Sequence, residues 1–236
     1  MRFIVRLRTT NDATIPINYQ HALSSALYSF IKEANPDLSS SLHYSNDFKF
    51  FNFSNLKIPR NSIKGPVVHL KKGTSVMFNF SSPAADILEA TVSGMLSTGK
   101  MGILGADFEI ETIEMLKTPD FSGRALFRTL SPVYIDILRN GERWDLLPTD
   151  PEWRQRIEEN SRKKYAHYFG RDYKGDFEIE QVRRMSSKRI EVHGQWWVSA
   201  NVEFIQKAGP DMIKFLWDAG IGRKNSQGFG CLQFLG

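Results

Sequence analysis

Asp211-Met-Ile-Lys-Phe-Leu-Trp217-Asp-Ala-Gly220-Ile-Gly222-Arg-Lys-Asn-Ser-Gln-Gly228-Phe-Gly230-Cys-Leu-Gln-Phe-Leu235 reads helix, loop, strand to within one residue of the end of the chain. Asp211 to Trp217 is amphipathic, and Phe229 to Leu235 is apolar enough for a buried strand. Between them, Gly220, Gly222, Gly228 and Gly230 supply four of the 17 glycines and enclose Arg223 and Lys224. Glycine takes positive φ without cost and lets another backbone approach closely, so a loop with two cations inside it suits an anion. A phosphate loop of a nucleotide-binding enzyme runs from strand to helix and uses the helix N-terminus. The order here is the reverse and the Gly-Lys-Ser/Thr ending is missing, which excludes that class. Gly220 reads as a helix C-cap; Gly222, Gly228 and Gly230 need another reason.

Working backwards, one order of elements occurs twice. Phe3, Val5 and Leu7 alternate with Arg2, Arg6 and Arg8, a half-buried strand with a cationic outer face. Tyr19 to Ala34 has Tyr19, Leu23, Leu27, Phe30 and Ile31 on one helical face, and Pro36 ends it. Phe48 to Phe53, Val67 to Leu70 and Val76 to Phe80 read as strands, the last two joined by the turn Lys71-Lys72-Gly73. Ser82-Pro83 opens a helix, and Phe108 to Leu116 is a strand. After a linker from Thr118 to Gly123 the order recurs. Ala125 to Leu138 is a strand, Asp150-Pro151 caps a helix to about Phe169, and Phe177 to Met185 with Gln195 to Phe204 makes a hairpin. Gly209-Pro210 then opens the final helix. The fold expected is α+β: two tandem ferredoxin-like domains (β-α-β-β-α-β), residues 1–120 and 121–236, with the glycine-rich loop near the C-terminus.

Composition narrows the partners. A chain of 236 residues with 41% hydrophobic content buries a real core. The net charge of +5 favours a polyanionic partner. The single cysteine, Cys231, rules out an internal disulfide or a thiolate cluster and reads as a core residue. No signal peptide or membrane-length apolar run is visible, so a cytoplasmic protein is expected.

The spacing Gly-x-Gly, five residues, Gly-Phe-Gly at residues 220–230 resembles the glycine-rich loop of the RAMP proteins of CRISPR systems. Within that superfamily the chain resembles the endoribonucleases that cut precursor CRISPR RNA within each repeat. The resemblance covers the whole chain and implies the same tandem ferredoxin-like architecture. It also implies a catalytic triad of a tyrosine on the first helix, a histidine after that helix and a lysine entering the next strand. Tyr28, His43 and Lys49 match those places. Read alone, Tyr28 is an aromatic at the edge of the helix's polar side, near His21, Ser25 and Lys32. His43 alone reads as a loop histidine, and Lys49 as a strand lysine. As a set they suit RNA cleavage by the 2′-hydroxyl: histidine can transfer a proton in either direction near neutral pH. Tyrosine can orient or deprotonate the hydroxyl, and lysine can stabilise the phosphorane. Which of Tyr28 and His43 takes the proton stays open. His21 is the nearest rival; His69 and His193 read as structural, and His167 as surface. The scattered acids fit no two-metal site, and neither metal nor cofactor is expected.

The partner implied is CRISPR repeat RNA, and the resemblance also admits other effector-complex subunits and a homodimer, with no membrane. Candidate phosphate contacts are Arg183, Arg184, Lys188 and Arg189, expected at the tip of the second hairpin, together with Gly220, Gly222, Arg223, Lys224, Gly228 and Gly230. Arg2, Arg6 and Arg8 on the first strand and Arg162, Lys163 and Lys164 on the long helix are further cationic tracks. Trp196 and Trp197 are adjacent on a strand and point to opposite faces, one for the core and one for stacking. A non-cleaving RAMP subunit, or an inactive paralogue, that binds CRISPR RNA is the alternative reading.

Overall fold

The computed structural model describes residues 1–44, 47–192 and 194–236 and divides into two compact units. The first holds Met1–Phe51 and Asn55–Lys117; the second holds Thr118–Gly236 together with Asn52–Ser54. The elements are mixed α and β throughout.

Up to Lys117 the elements are β1 (Arg2–Thr9), β2 (Ala13–Pro16), α1 (Gln20–Ala34), α2 (Pro36–Tyr44), β3 (Asn52–Phe53, grouped with the second unit), β4 (Ile63–Lys64), β5 (Val67–Leu70), β6 (Ser75–Ser81), α3 (Ala85–Thr98), β7 (Lys100–Ile103) and β8 (Ala106–Leu116). Strand β1 is central, antiparallel to β6 on one side and β8 on the other, with β7 beyond β8. Register places Val5 opposite Phe78 and Leu7 opposite Val76, all buried, while Arg6 opposite Met77 lies on the other face. The apolar side of α1 (Leu23, Leu27, Phe30, Ile31) is buried as its spacing predicts. Gly94 lets α3 meet α1: a Cβ there would lie 2.1 Å from the Phe30 carbonyl oxygen.

Several expectations change here. Helix α1 ends at Ala34 as expected, but Pro36 then begins a second helix, α2, at the position where a proline's missing N–H costs nothing. The strand expected over Phe48 to Phe53 is only Asn52–Phe53. Strands β5 and β6 are not a hairpin, because β5 lies between β2 and β4 in a separate three-stranded sheet. Helix α3 starts at Ala85, and the Ser82 hydroxyl accepts the Ala84 N–H (3.0 Å) just ahead of it. Strand β8 is also preceded by a strand, β7, with which it forms a hairpin turning through Leu104-Gly105.

The second unit contains β9 (Arg124–Thr129), β10 (Asp136–Arg139), β11 (Glu142–Asp145), α4 (Trp153–Phe169), β12 (Phe177–Val192), β13 (Gln195–Ala208), α5 (Pro210–Ala219) and β14 (Leu232–Phe234). Its sheet has the order β12-β13-β9-β14, antiparallel throughout. Phe127 on β9 packs its ring near Phe204 and Phe234 (5.9 and 6.0 Å between centroids). The strand expected from Ala125 to Leu138 is two strands, with Ser131-Pro132 between them. Gly209-Pro210 opens α5 as expected, and Cys231 is buried. His193 lies outside the described residues.

Candidate functional site

In the first unit, His43 occupies the last turn of α2 rather than a loop, and its side chain is exposed. Lys49 is half-buried and donates from its ammonium to the carbonyl oxygen of Leu42, the residue before His43. A cation on a terminal carbonyl is a favourable end for a helix, and this hydrogen bond ties Lys49 to the turn that carries His43. Burial pushes the Lys49 ammonium below the usual lysine value, with Asp47 acting in the opposite sense. Tyr28 is half-buried on α1 and sets its ring edge-on to Phe51 at 5.3 Å, two residues after Lys49. The structure therefore brings His43 and Lys49 together through Leu42 and Tyr28 to the same segment through Phe51. His21, the rival, is exposed about two turns earlier on the same side of α1 as Tyr28, in line with Ser25 and Lys32.

The bend that makes this possible is Phe50. Its φ is +51, a left-handed conformation that costs a side-chain-bearing residue about 1–2 kcal/mol. The Ser82 hydroxyl donates to the Phe50 carbonyl (2.6 Å) and secures it. The turn sends Phe51 into the core and leaves Lys49 facing α2. No sequence pattern marks Phe50, so the residues alone read as a straight strand.

In the second unit, the glycine-rich loop is built around a residue expected on the surface. Lys164 of α4 is 1% exposed. Its ammonium donates to the carbonyl oxygens of Gly220 (2.5 Å) and Gly222 (3.1 Å) and to the Asn225 side-chain oxygen (3.0 Å). Burial pushes its pKa down to about 7. The Asn225 amide in turn donates to the carbonyls of Ile221 and Phe229, each at 3.0 Å. Lys164 is thus no phosphate ligand but the centre of the loop's own hydrogen bonding. Arg162 is similarly engaged with the carbonyls of Tyr173 and Gly175, which leaves Lys163 as the exposed cation of that trio.

The glycines answer to the same packing. At Gly222 (φ +71) a Cβ would lie 2.4 Å from the Tyr134 carbonyl oxygen, and at Gly230 (φ +73) 1.9 Å from that of Ile221. The space that a side chain would need at these two positions is filled by the protein's own backbone. Arg223 pairs with Asp136 (2.5 Å). Lys224, also at positive φ, places its ammonium 4.0 Å from the centroid of Trp197, whose ring carries the Arg143 guanidinium at 3.9 Å. Burial is the larger cause, and Arg223 the next, that lowers the Lys224 pKa.

Strands β12 and β13 run well past the lengths expected, so Arg183, Arg184, Lys188 and Arg189 lie along β12 and not at the hairpin tip. All four are exposed. A register shift between Val182 and Arg184 accompanies the first pair. Trp197 is 9% exposed and Trp196 49%, the division that strand alternation predicts, and the Arg189 guanidinium stands 5.8 Å from the Trp196 ring centroid. On β1, Arg2 is buried at 2% exposure, Arg6 pairs with Glu114 (3.3 Å) and Arg8 with Glu111, so that track is neutralised.

With this geometry in hand, residues 14–114 match the family model of the CRISPR-associated protein Cas6 N-terminal region, and residues 116–234 match that of its C-terminal region. The chain belongs to the Cas6 family. It is 31% identical over 98% of its length to a CRISPR-associated endoribonuclease Cas6 of Methanocaldococcus jannaschii, 91% of which is covered. It is 30% identical over its full length to the CRISPR-associated endoribonuclease Cas6 of Pyrococcus furiosus, 90% of which is covered. A solved structure of a CRISPR-associated protein Cas6 superposes with a TM-score of 0.86 at 30% identity, covering 100% of this chain and 99% of the other. No described helix is long and apolar enough to cross a membrane.

Proposed function

We propose that this Cas6 protein cuts precursor CRISPR RNA within each repeat, by metal-independent attack of a 2′-hydroxyl on the adjacent phosphate. The products are a 2′,3′-cyclic phosphate and a 5′-hydroxyl. The observation that carries the reading is the hydrogen bond from the Lys49 ammonium to the Leu42 carbonyl beside His43, in the segment whose Phe51 supports Tyr28. His43, which is exposed, serves as the general acid or base in this reading. Tyr28 orients or deprotonates the 2′-hydroxyl, and Lys49 places positive charge where the phosphorane gains negative charge. The names of the two full-length relatives support ribonuclease activity. Arg183, Arg184, Lys188 and Arg189 hold the repeat's phosphates along β12, and the glycine-rich loop presents its surface to the same RNA.

The architecture in this reading is two ferredoxin-like domains, residues 1–120 and 121–236. The order β12-β13-β9-β14, with α4 and α5 as the crossovers, supports it for the second.

The test is incubation of the host's own repeat RNA with the protein in EDTA, beside a copy carrying one 2′-deoxyribose at the cut site. Cleavage of the first alone is expected. Tight binding without cleavage of either would replace this reading with that of a guide-binding subunit, and cleavage of the deoxy copy would exclude the 2′-hydroxyl as nucleophile.

A further inference from the structure

The β1 cations expected to meet phosphate are spent within the first unit, Arg2 by burial and Arg6 and Arg8 by the acids of β8. The positive charge left over lies elsewhere. From Phe48 to Ala85 the chain contains no Asp or Glu, yet it contains Lys49, Lys57, Arg60, Lys64, Lys71 and Lys72. These six cations exceed the net charge of +5 for the whole protein.

All of them except Lys49 are exposed. Lys57 forms a backbone bridge with Met77 of β6, its N–H 2.7 Å from the Met77 carbonyl. Arg60 opens a single 3-10 turn, Lys64 ends β4 opposite Val67 of β5, and Lys71 and Lys72 make the turn after β5. Asp12 lies at this end, and its carboxylate accepts the backbone N–H of Lys72 (2.7 Å); Asp107 is nearby, its backbone bonded to Thr10 and Asn11. Among the described residues, the side chains of Lys57, Arg60, Lys64, Lys71 and Lys72 enter no ion pair. Elsewhere in the unit Arg6 and Arg8 have carboxylate partners, so this segment keeps an excess of positive charge, the footprint of a polyanion site.

Resting on the RNA reading above, we propose that the acid-free strap from Lys57 to Lys72 is a second phosphate track, which takes the RNA strand onward from Lys49. Lys49 and Lys57 are separated by a chain segment that spans at most about 28 Å, so the strap begins within reach of a strand held at Lys49. A nucleic acid fits better than an acidic protein partner. Of the strap's described residues, Ile63 is the one large apolar side chain that stands exposed, whereas protein interfaces need an apolar centre.

The experiment is filter binding of the host's repeat RNA, made uncleavable by 2′-deoxyribose at the cut site, over roughly 50 to 400 mM KCl. The strap variant carries Arg60→Gln, Lys64→Gln, Lys71→Gln and Lys72→Gln; the control carries Lys100→Gln, Lys117→Gln, Lys174→Gln and Lys207→Gln, four lysines outside it. A thermal melt confirms that both are folded. The strap variant should bind about tenfold or more weakly near 0.1 M salt, with a salt dependence shallower by about 0.7 for each phosphate no longer neutralised, and the control should keep both values. Unchanged affinity and slope in the strap variant overturn the proposal, as does an equal loss in the control. Either result leaves an acidic protein partner as the strap's remaining reading. Because binding is scored on uncleavable RNA, the strap stands or falls independently of whether the wild type cuts the all-ribose repeat. A wild type without RNA affinity sinks both.

Discussion

Lys164 and Gly220 are 56 residues apart, and the buried ammonium of the first donates to the carbonyl oxygen of the second at 2.5 Å. With Gly222 and Asn225 as its other acceptors, Lys164 gives the glycine-rich loop a fixed inner surface. Lys164→Met keeps the length of the side chain and removes every donor. Two buried carbonyls and the part-buried Asn225 oxygen then lose this donor, and the variant should be less stable by about 2–4 kcal/mol in urea unfolding. A loss below about 1 kcal/mol would mean that the loop holds its shape without the lysine.

The same residue should leave a mark on the pH dependence of stability. Its native pKa is pushed down to about 7, whereas an unfolded lysine titrates near ~10.4. Below about 7 both states hold the proton. Between the two values the unfolded chain binds one proton more than the native chain, so native stability rises with pH. The slope is up to about 1.4 kcal/mol per pH unit. Wild type compared with Lys164→Met should therefore gain about 2 kcal/mol between pH ~7 and pH ~9. A constant difference across that window would show that the lysine titrates normally.

Gly222→Ala and Gly230→Ala test whether packing or ligand access sets these positions. Each new Cβ would press on a carbonyl oxygen, at 2.4 and 1.9 Å, and each would sit at positive φ. Gly73→Ala, in a turn with φ +86 and no atom within 4 Å of the added carbon, carries the conformational cost alone. The loop variants should lose about 3 kcal/mol or more, against about 1 kcal/mol for Gly73→Ala. Equal melting temperatures for all three would contradict the packing account.

How far the chain could be read from its residues depended on whether neighbours in sequence carry the information. The apolar spacing of α1, the Gly209-Pro210 start of α5 and the alternation of Trp196 and Trp197 are local, and each is found as expected. Helix α2 escapes a local reading because Pro36 serves as a stop and equally as a first residue. The placement of β5 away from β6 depends on pairing with β2, more than 50 residues earlier, which local pattern does not encode. The burial of Lys164, by contrast, is legible. Trp153, Ile157, Ser161 and Lys164 follow helical spacing and form the buried side of α4, so the stripe runs through the charged segment. The Lys49 hydrogen bond to Leu42 has no such signal, since it depends on the left-handed Phe50.

Trp196 and Trp197 should separate binding from folding. Trp196 is half exposed beside Arg189 on β12, a surface on which an unpaired base can stack. Trp196→Ala should weaken repeat-RNA binding by about 1–3 kcal/mol with little change in melting temperature. Trp197 is buried against Tyr134 with ring centroids 5.0 Å apart, and Trp197→Ala should cost about 3–5 kcal/mol of stability. Loss of RNA affinity in neither variant would remove this face from the binding site.

Lys49 has two roles to disentangle, because its ammonium both serves the reaction as proposed and holds the end of α2 through Leu42. Lys49→Ala removes both, and single-turnover cleavage at saturating RNA should fall by about 10²–10³. His43→Ala leaves the bond to Leu42 in place and should lower the rate by about 10²–10⁴, with RNA affinity nearly unchanged. If Lys49 acts only by holding the turn, the double variant should be no slower than His43→Ala, since a misplaced histidine and a missing one are the same defect. If the ammonium also stabilises the phosphorane, the double variant should be slower than either single variant. Full cleavage by His43→Ala would remove the histidine from the reaction, and with it the reason for Lys49 to sit against that turn.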